Sequence, residues 1–133
     1  MGNFIRISKS AERDFDKIVK KNEGLKRKIF SILEELQTLT DLPRIESKKV
    51  KVVKGTPKKL IRCLITNNFY PAIFEYRKKI EKYPLRVFFL FKESTSNILV
   101  ILIAHRNLLD KNLFNKLLFQ RIVSVTKNSN KER

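Results

Sequence analysis

The chain has 133 residues, 30 Lys and Arg against 13 Asp and Glu, a formal charge of +17, and 42% hydrophobic residues that include ten Phe. Such a length supplies one domain with one core, and that apolar content excludes a disordered basic tail. The longest apolar run, Ile98 to Ala104, is far short of the roughly 20 residues of a membrane-spanning helix, and the opening MGNFIRISKS lacks the apolar region of a secretory signal.

Asn3 to Ser8 reads as a short strand. Ser10 is expected to cap a helix with acids in its first turn, on which Phe15, Ile18 and Val19 fall at i, i+3, i+4. Asn22-Glu23-Gly24 breaks it. A second stripe, Leu25, Ile29, Ile32, Leu33 and Leu36, runs to about Thr38, so the two predict a helical hairpin. Expected strands follow at Leu60 to Ile65, Ala72 to Arg77, Leu85 to Phe91 and Ile98 to Ala104, all rich in Ile, Val, Phe and Leu. Turn signals separate them at Thr66-Asn67-Asn68, Lys79 to Pro84 and Glu93 to Asn97. These short gaps suit hairpins, so the sheet should be largely antiparallel. The last two strands are apolar at nearly every position, which places them centrally beneath the helices. A final helix is expected from Leu108 to Val123, with Leu109, Leu113, Leu117 and Leu118 as its stripe. Residues 1–125 then form a single domain and 126–133 a polar, frayed tail. The class is α+β: an N-terminal strand and helical hairpin packed on a mainly antiparallel sheet, with a C-terminal helix.

A charge of +17 attracts polyanions, either nucleic acid or an acidic protein that masks the same surface. Arg44 to Arg62 holds eight basic residues (Arg44, Lys48, Lys49, Lys51, Lys54, Lys58, Lys59, Arg62) and one acid, Glu46, for a net +7. Both a phosphate-tracking rim and a solvated basic loop fit that run. Six contacts to single-stranded RNA would give a salt slope near −4, at about −0.7 per contact. Gly55, within Gly55-Thr56-Pro57, serves a turn, since no P-loop pattern surrounds it.

Glu75 and Arg77 stand two apart on an expected strand and share a face, with Phe74 and Tyr76 on the other. If the hairpin pairs position 77 with 86, Arg86 joins that face and Glu75 buffers the repulsion of the two guanidiniums. A shift of one would set Arg86 opposite Tyr76 instead, and a purely structural Glu–Arg ladder stays open. His105-Arg106 closes the last apolar strand. Cys63 and His105 are each the only residue of their type, which excludes a disulfide framework, Cys-rich zinc sites and His-pair metal motifs and suits the cytoplasm. An imidazole moves protons near neutrality, and guanidiniums hold phosphate and stabilise charge that builds on it. Converging, they would perform metal-free RNA cleavage through the ribose 2′-OH, a route closed to DNA.

Phe74-Glu75-Tyr76-Arg77, Pro84-Leu85-Arg86-Val87-Phe88-Phe89-Leu90-Phe91 and Ile98 to Arg106 resemble the core of the RelE/ParE toxin superfamily, with the closest look to its HigB-like branch. The element order is similar, with two helices before the sheet. Pro43-Arg44-Ile45-Glu46 and Gly55-Thr56-Pro57 look like the lead-in to the second strand in RelE, and the resemblance spans residues 4–108. It implies a type II toxin: a ribosome-dependent, metal-free mRNA endoribonuclease that inhibits translation. Such a toxin is cytoplasmic, uses no cofactor, is neutralised by a cognate antitoxin protein, and meets DNA only through a complex with that antitoxin. The resemblance implies that Arg77 and Arg86 bind phosphate and that Glu75 and His105 complete the catalytic set. Lys54, Lys58, Lys59, Arg62 and Arg106 are then RNA-binding residues. The chain departs from the pattern in three places. Lys58 to Pro71 is long enough to add a strand, Leu108-Leu109-Asp110 replaces the tyrosine that often follows the last strand, and the helix after Leu108 is longer. Two other readings share these residues: a ParE-like toxin that binds DNA gyrase and cuts nothing, and a basic nucleic-acid-binding domain without catalysis. His105 with the two arginines favours the nuclease; the absent tyrosine favours the binding domain.

Overall fold

Five strands form one mixed sheet in the computed structural model, which describes residues 2–44, 49–80, 82–105 and 111–131. At one edge β1 (Phe4–Ile7) runs parallel to β5 (Asn97–His105). Next to β5 lie β4 (Tyr83–Lys92), β3 (Phe74–Ile80) and β2 (Val50–Val52), each antiparallel to its neighbour. The helical hairpin of α1 (Lys9–Lys21) and α2 (Leu25–Gln37) covers one face. Helices α3 (Lys58–Thr66) and α4 (Lys111–Lys131) pack on the other. The α+β class and the helical hairpin are as expected; the sheet is mixed because β1 lies parallel to the last strand.

Pleat alternation divides the core in two. Phe74, Tyr76, Leu85, Val87, Phe89 and Val100 point to the hairpin, against Ile29, Ile32 and Leu36. Phe88, Leu90 and Leu102 point the other way, against Leu60 and Leu64 of α3 and Leu118 and Ile122 of α4. Strands β4 and β5 are thus covered on both faces, which is why they are apolar almost throughout. Phe74 and Phe89 are directly opposed across β3 and β4 and stack at 5.3 Å, a contact worth about 0.5–1.5 kcal/mol beyond its buried area.

Several boundaries differ from expectation, each for a local reason. Ser8, not Ser10, caps α1: its hydroxyl accepts from the Ala11 amide at 3.1 Å, so the helix starts at Lys9. Leu60 to Ile65 is helical rather than extended. Leu60 and Leu64 are one turn apart and buried, and the Pro57 carbonyl accepts from the Leu60 and Ile61 amides, starting α3. A short strand, β2, lies in the basic stretch that reads as a loop, with Val50 opposite Tyr76. The turn expected over Lys79 to Pro84 is much tighter, since Lys79 pairs with Pro84 and Ile80 with Tyr83. Helix α4 continues to Lys131, so the expected tail at 126–133 is largely helix, and Thr126 is buried with its hydroxyl on the Ile122 carbonyl. Within α4, Leu117 and Leu118 of the expected stripe pack on the sheet together with Phe114 and Ile122, whereas Leu113 is 65% exposed. Leu108 and Leu109 lie outside the described residues. Among the described residues no helix is long and apolar enough to cross a membrane.

One polar contact ties the sheet to the hairpin. The Tyr76 hydroxyl donates to the Glu35 carboxylate on α2, and Lys49 Nζ reaches the same carboxylate at 3.2 Å. The Tyr76 bond holds the Glu35 pKa below its ordinary 4.5, against the opposing effect of burial, and Lys49 adds to the lowering. Burial, then the Glu35 contact, raises the Tyr76 pKa. A lowered carboxylate pKa contributes stability above the unfolded value and loses it as pH falls through the folded one. Wild type should therefore lose more stability than Tyr76→Phe when denaturation is followed from neutral pH down through 4.5 and below. At the alkaline end the sign reverses. The raised phenol stays protonated while the unfolded tyrosine ionises near pH ~10, so wild type should weaken above that value and Tyr76→Phe should not. Parallel profiles at both ends would show that this contact carries no linkage.

Candidate nucleic-acid interface

The register of β3, β4 and β5 positions the basic side chains. Arg77 lies directly opposite Arg86, and Arg86 opposite Ala104, so both guanidiniums stand on the sheet face away from the hairpin. Glu75 is on the same face, one pleat repeat along, and its Oε1 lies 3.2 Å from Arg77 Nη2. The Glu75 side chain is 13% exposed, that of Arg77 50%. Arg86 is half-buried, and its Nε is buried without a hydrogen-bond partner. Its cross-strand neighbour on β5 is the small Ala104.

Lys51, one of the basic run, and Lys79, not singled out in the sequence, join this face. Lys51 on β2 is directly opposite Glu75, and Lys79 on β3 is opposite Pro84; both are exposed. The Val50-Lys51-Val52 alternation was the available signal for Lys51, though a three-residue strand is short for recognition, and the two-residue spacing from Arg77 was the signal for Lys79. Helices α3 and α4 cover Phe88, Leu90 and Leu102 but leave Arg77 and Lys79 exposed to solvent. On α3, Leu60 and Leu64 face inward while Lys58, Lys59 and Arg62 are exposed. Lys54 is exposed in the β2–α3 connection, where Gly55 takes a left-handed φ of +78° that suits the turning role expected of it.

His105 does not join the arginines. It is paired with Leu85, so its ring lies on the hairpin side, and Ala104 is the β5 residue that shares the arginine face. Adjacent strand residues point to opposite faces, so a histidine one position past the shared register lands on the wrong side. The His105 ring meets Tyr83 edge-on with centroids 6.3 Å apart, and its Nε2 is buried without a partner. Arg106 and Glu46 lie outside the described residues.

A further ionic contact lies at the β5 edge. Asp14 of α1 and Arg121 of α4 form a paired-carboxylate bridge, with Arg121 Nη2 2.9 Å from Asp14 Oδ1. Asp14 also accepts from the Ile103 amide at 3.0 Å, and Arg121 donates to the Ile101 carbonyl at 3.0 Å. Among the described residues no three His, Cys, Asp or Glu side chains gather to hold a metal ion.

The assembled face has two opposed guanidiniums, a carboxylate beside them and flanking lysines. It suits a phosphodiester whose oxygens meet planar donors. No family model, curated protein or solved structure matches the chain.

Proposed function

We infer that the chain is a toxin of the RelE/ParE kind, which grips messenger RNA with the β3–β4 face and cuts it on the ribosome through the ribose 2′-OH. One observation carries this reading: Arg77 and Arg86 are directly opposed on the sheet face away from the hairpin, with Lys51 and Lys79 exposed on the same face. The half-exposed Arg77 guanidinium, with the lysines beside it, offers N–H donors to phosphate oxygens. The chain order supports it too, with a strand and a helical hairpin ahead of the sheet. Lys54, Lys58, Lys59 and Arg62 extend the positive field along the RNA.

In this reading Glu75, beside Arg77, takes the proton from the 2′-OH. The 2′ oxygen bonds to phosphorus while the two arginines hold the charge that builds on the phosphorane. The bond from phosphorus to the 5′ oxygen breaks, and Lys51 returns a proton to that oxygen. The products carry a 2′,3′-cyclic phosphate and a 5′-hydroxyl. His105 has no part in this, because its ring lies on the other face. The ribosome holds the substrate in place, and the cognate antitoxin offers an acidic segment to the same face.

The placement of His105 favours a second reading, a toxin or binding domain with the same basic face and no catalysis. Expression in a bacterium with mapping of transcript ends separates the two. A nuclease arrests translation and leaves fragments with cyclic-phosphate ends. A gyrase poison triggers DNA-damage signalling without fragments, and a binding domain does neither. Glu75→Gln should keep RNA affinity and slow cleavage by about 10²–10⁴-fold. His105→Ala should cut as wild type does. Loss of cleavage in a folded His105→Ala variant would overturn the assignment to the arginine face.

A further inference from the structure

Strand β1 ends at Ile7, opposite Val100, whereas β5 runs on to His105. Among the described residues, the outer edge of residues 101–105 therefore has no neighbouring strand. Asp14 and Arg121 close its first part, through the Ile103 amide and the Ile101 carbonyl. Beside them, between α1, β5 and α4, lies a cavity of about 480 Å³. Ile18, Leu25, Phe114 and Leu117 give it apolar walls. Lys17 and Lys21, one helical turn apart on α1 and both exposed, stand on one side of it, and His105 lines it from β5. In an extended strand the N–H and C=O of one residue point the same way, so the Ile103 carbonyl and the His105 amide share the outer edge with the Ile103 amide.

The cavity is thus an apolar slot with an acceptor and a donor side by side on a strand edge and two lysines along one side. A fatty chain would leave the edge groups unpaired, and a bare phosphate would leave the apolar walls empty. A nucleobase has a flat apolar body and an edge of neighbouring donors and acceptors, and its phosphate would reach the lysines. We propose that this cavity binds one nucleoside monophosphate unit, with the base against the Ile103–His105 edge and the phosphate at Lys17 and Lys21. The volume falls in the range of small-ligand sites. The site is separate from the arginine face and does not depend on how that face is read.

Calorimetric titration of the intact chain with AMP, adenosine and inorganic phosphate tests it. AMP should bind saturably, adenosine about tenfold more weakly or worse, and inorganic phosphate should not displace AMP at equal concentration. The double variant Lys17→Ala, Lys21→Ala should bind AMP no better than adenosine; both positions are exposed, so the fold should stand. Leu117→Trp, which fills the slot, should abolish binding of both. Arg77→Ala with Arg86→Ala should leave AMP affinity unchanged, which keeps failure here distinct from failure of the toxin reading. Competition of AMP by a 5′-phosphorylated RNA oligonucleotide, but not its 5′-hydroxyl form, identifies the unit as an RNA end; no competition by either identifies a free mononucleotide. The proposal is overturned if AMP fails to bind at millimolar concentration, or if its affinity survives both the lysine pair and Leu117→Trp.

Discussion

Asp14→Ala is expected to lower stability by about 3 kcal/mol or more, enough to threaten a domain whose whole margin is about 5–15 kcal/mol. The Asp14 carboxylate does three things at once: it pairs with Arg121, accepts from the Ile103 amide, and so joins α1, β5 and α4. Both side chains are only 15% exposed, so removing one leaves a guanidinium and a strand-edge amide poorly solvated and unpaired. Thermal unfolding should shift down by about 10 °C. Arg121→Ala should cost a similar amount, and the double variant clearly less than the sum, because the second change removes the orphaned partner. Additive losses would mean that the bridge is ornamental and that packing alone holds α4 to the sheet.

The second large effect concerns RNA. Arg77→Ala with Arg86→Ala should weaken binding of a single-stranded oligonucleotide by about 10²–10⁴-fold, at about 1.5–3 kcal/mol for each charged hydrogen bond lost. The slope of log affinity against log salt should become shallower by about 1.4, twice the 0.7 that each single-strand phosphate contact contributes. Lys59→Ala on α3, which is exposed and outside the arginine pair, should cost only its own share of the slope. In cells the double variant should relieve translational arrest while remaining folded. Unchanged affinity and slope would show that RNA is bound elsewhere on this cationic chain, and the inferred function would fall with it.

Distance across the sheet explains why these effects are separable. The bridge lies at the β5 edge and the arginines lie over β3 and β4. Helix α4 packs over Phe88 and Leu102, with the Phe114 ring 4.9 Å from that of Phe88, and does not bury Arg77. Loosening α4 should therefore reach the RNA face only through loss of global stability.

Much of this architecture was legible in the residue order. The stripes of α1 and α2, the two doubly buried strands and the shared face of Glu75 and Arg77 all follow from periodicity, which is a local property. The basic character of the chain follows from counting, and the turning role of Gly55 from the lack of a P-loop pattern around it. Other features depended on contacts distant in sequence. Leu60 to Ile65 is apolar enough for a strand or a helix, and burial of Leu60 and Leu64 beneath the sheet decided for helix. The pairing of Arg77 with Arg86 and the exile of His105 both come from register, where one residue exchanges the faces. The Asp14–Arg121 bridge joins positions that helix stripes treat as solvent-facing. Local preference set the elements and their inward sides; which side chains meet across them was decided by strand pairing and helix docking, because those fix positions that no short stretch of sequence encodes.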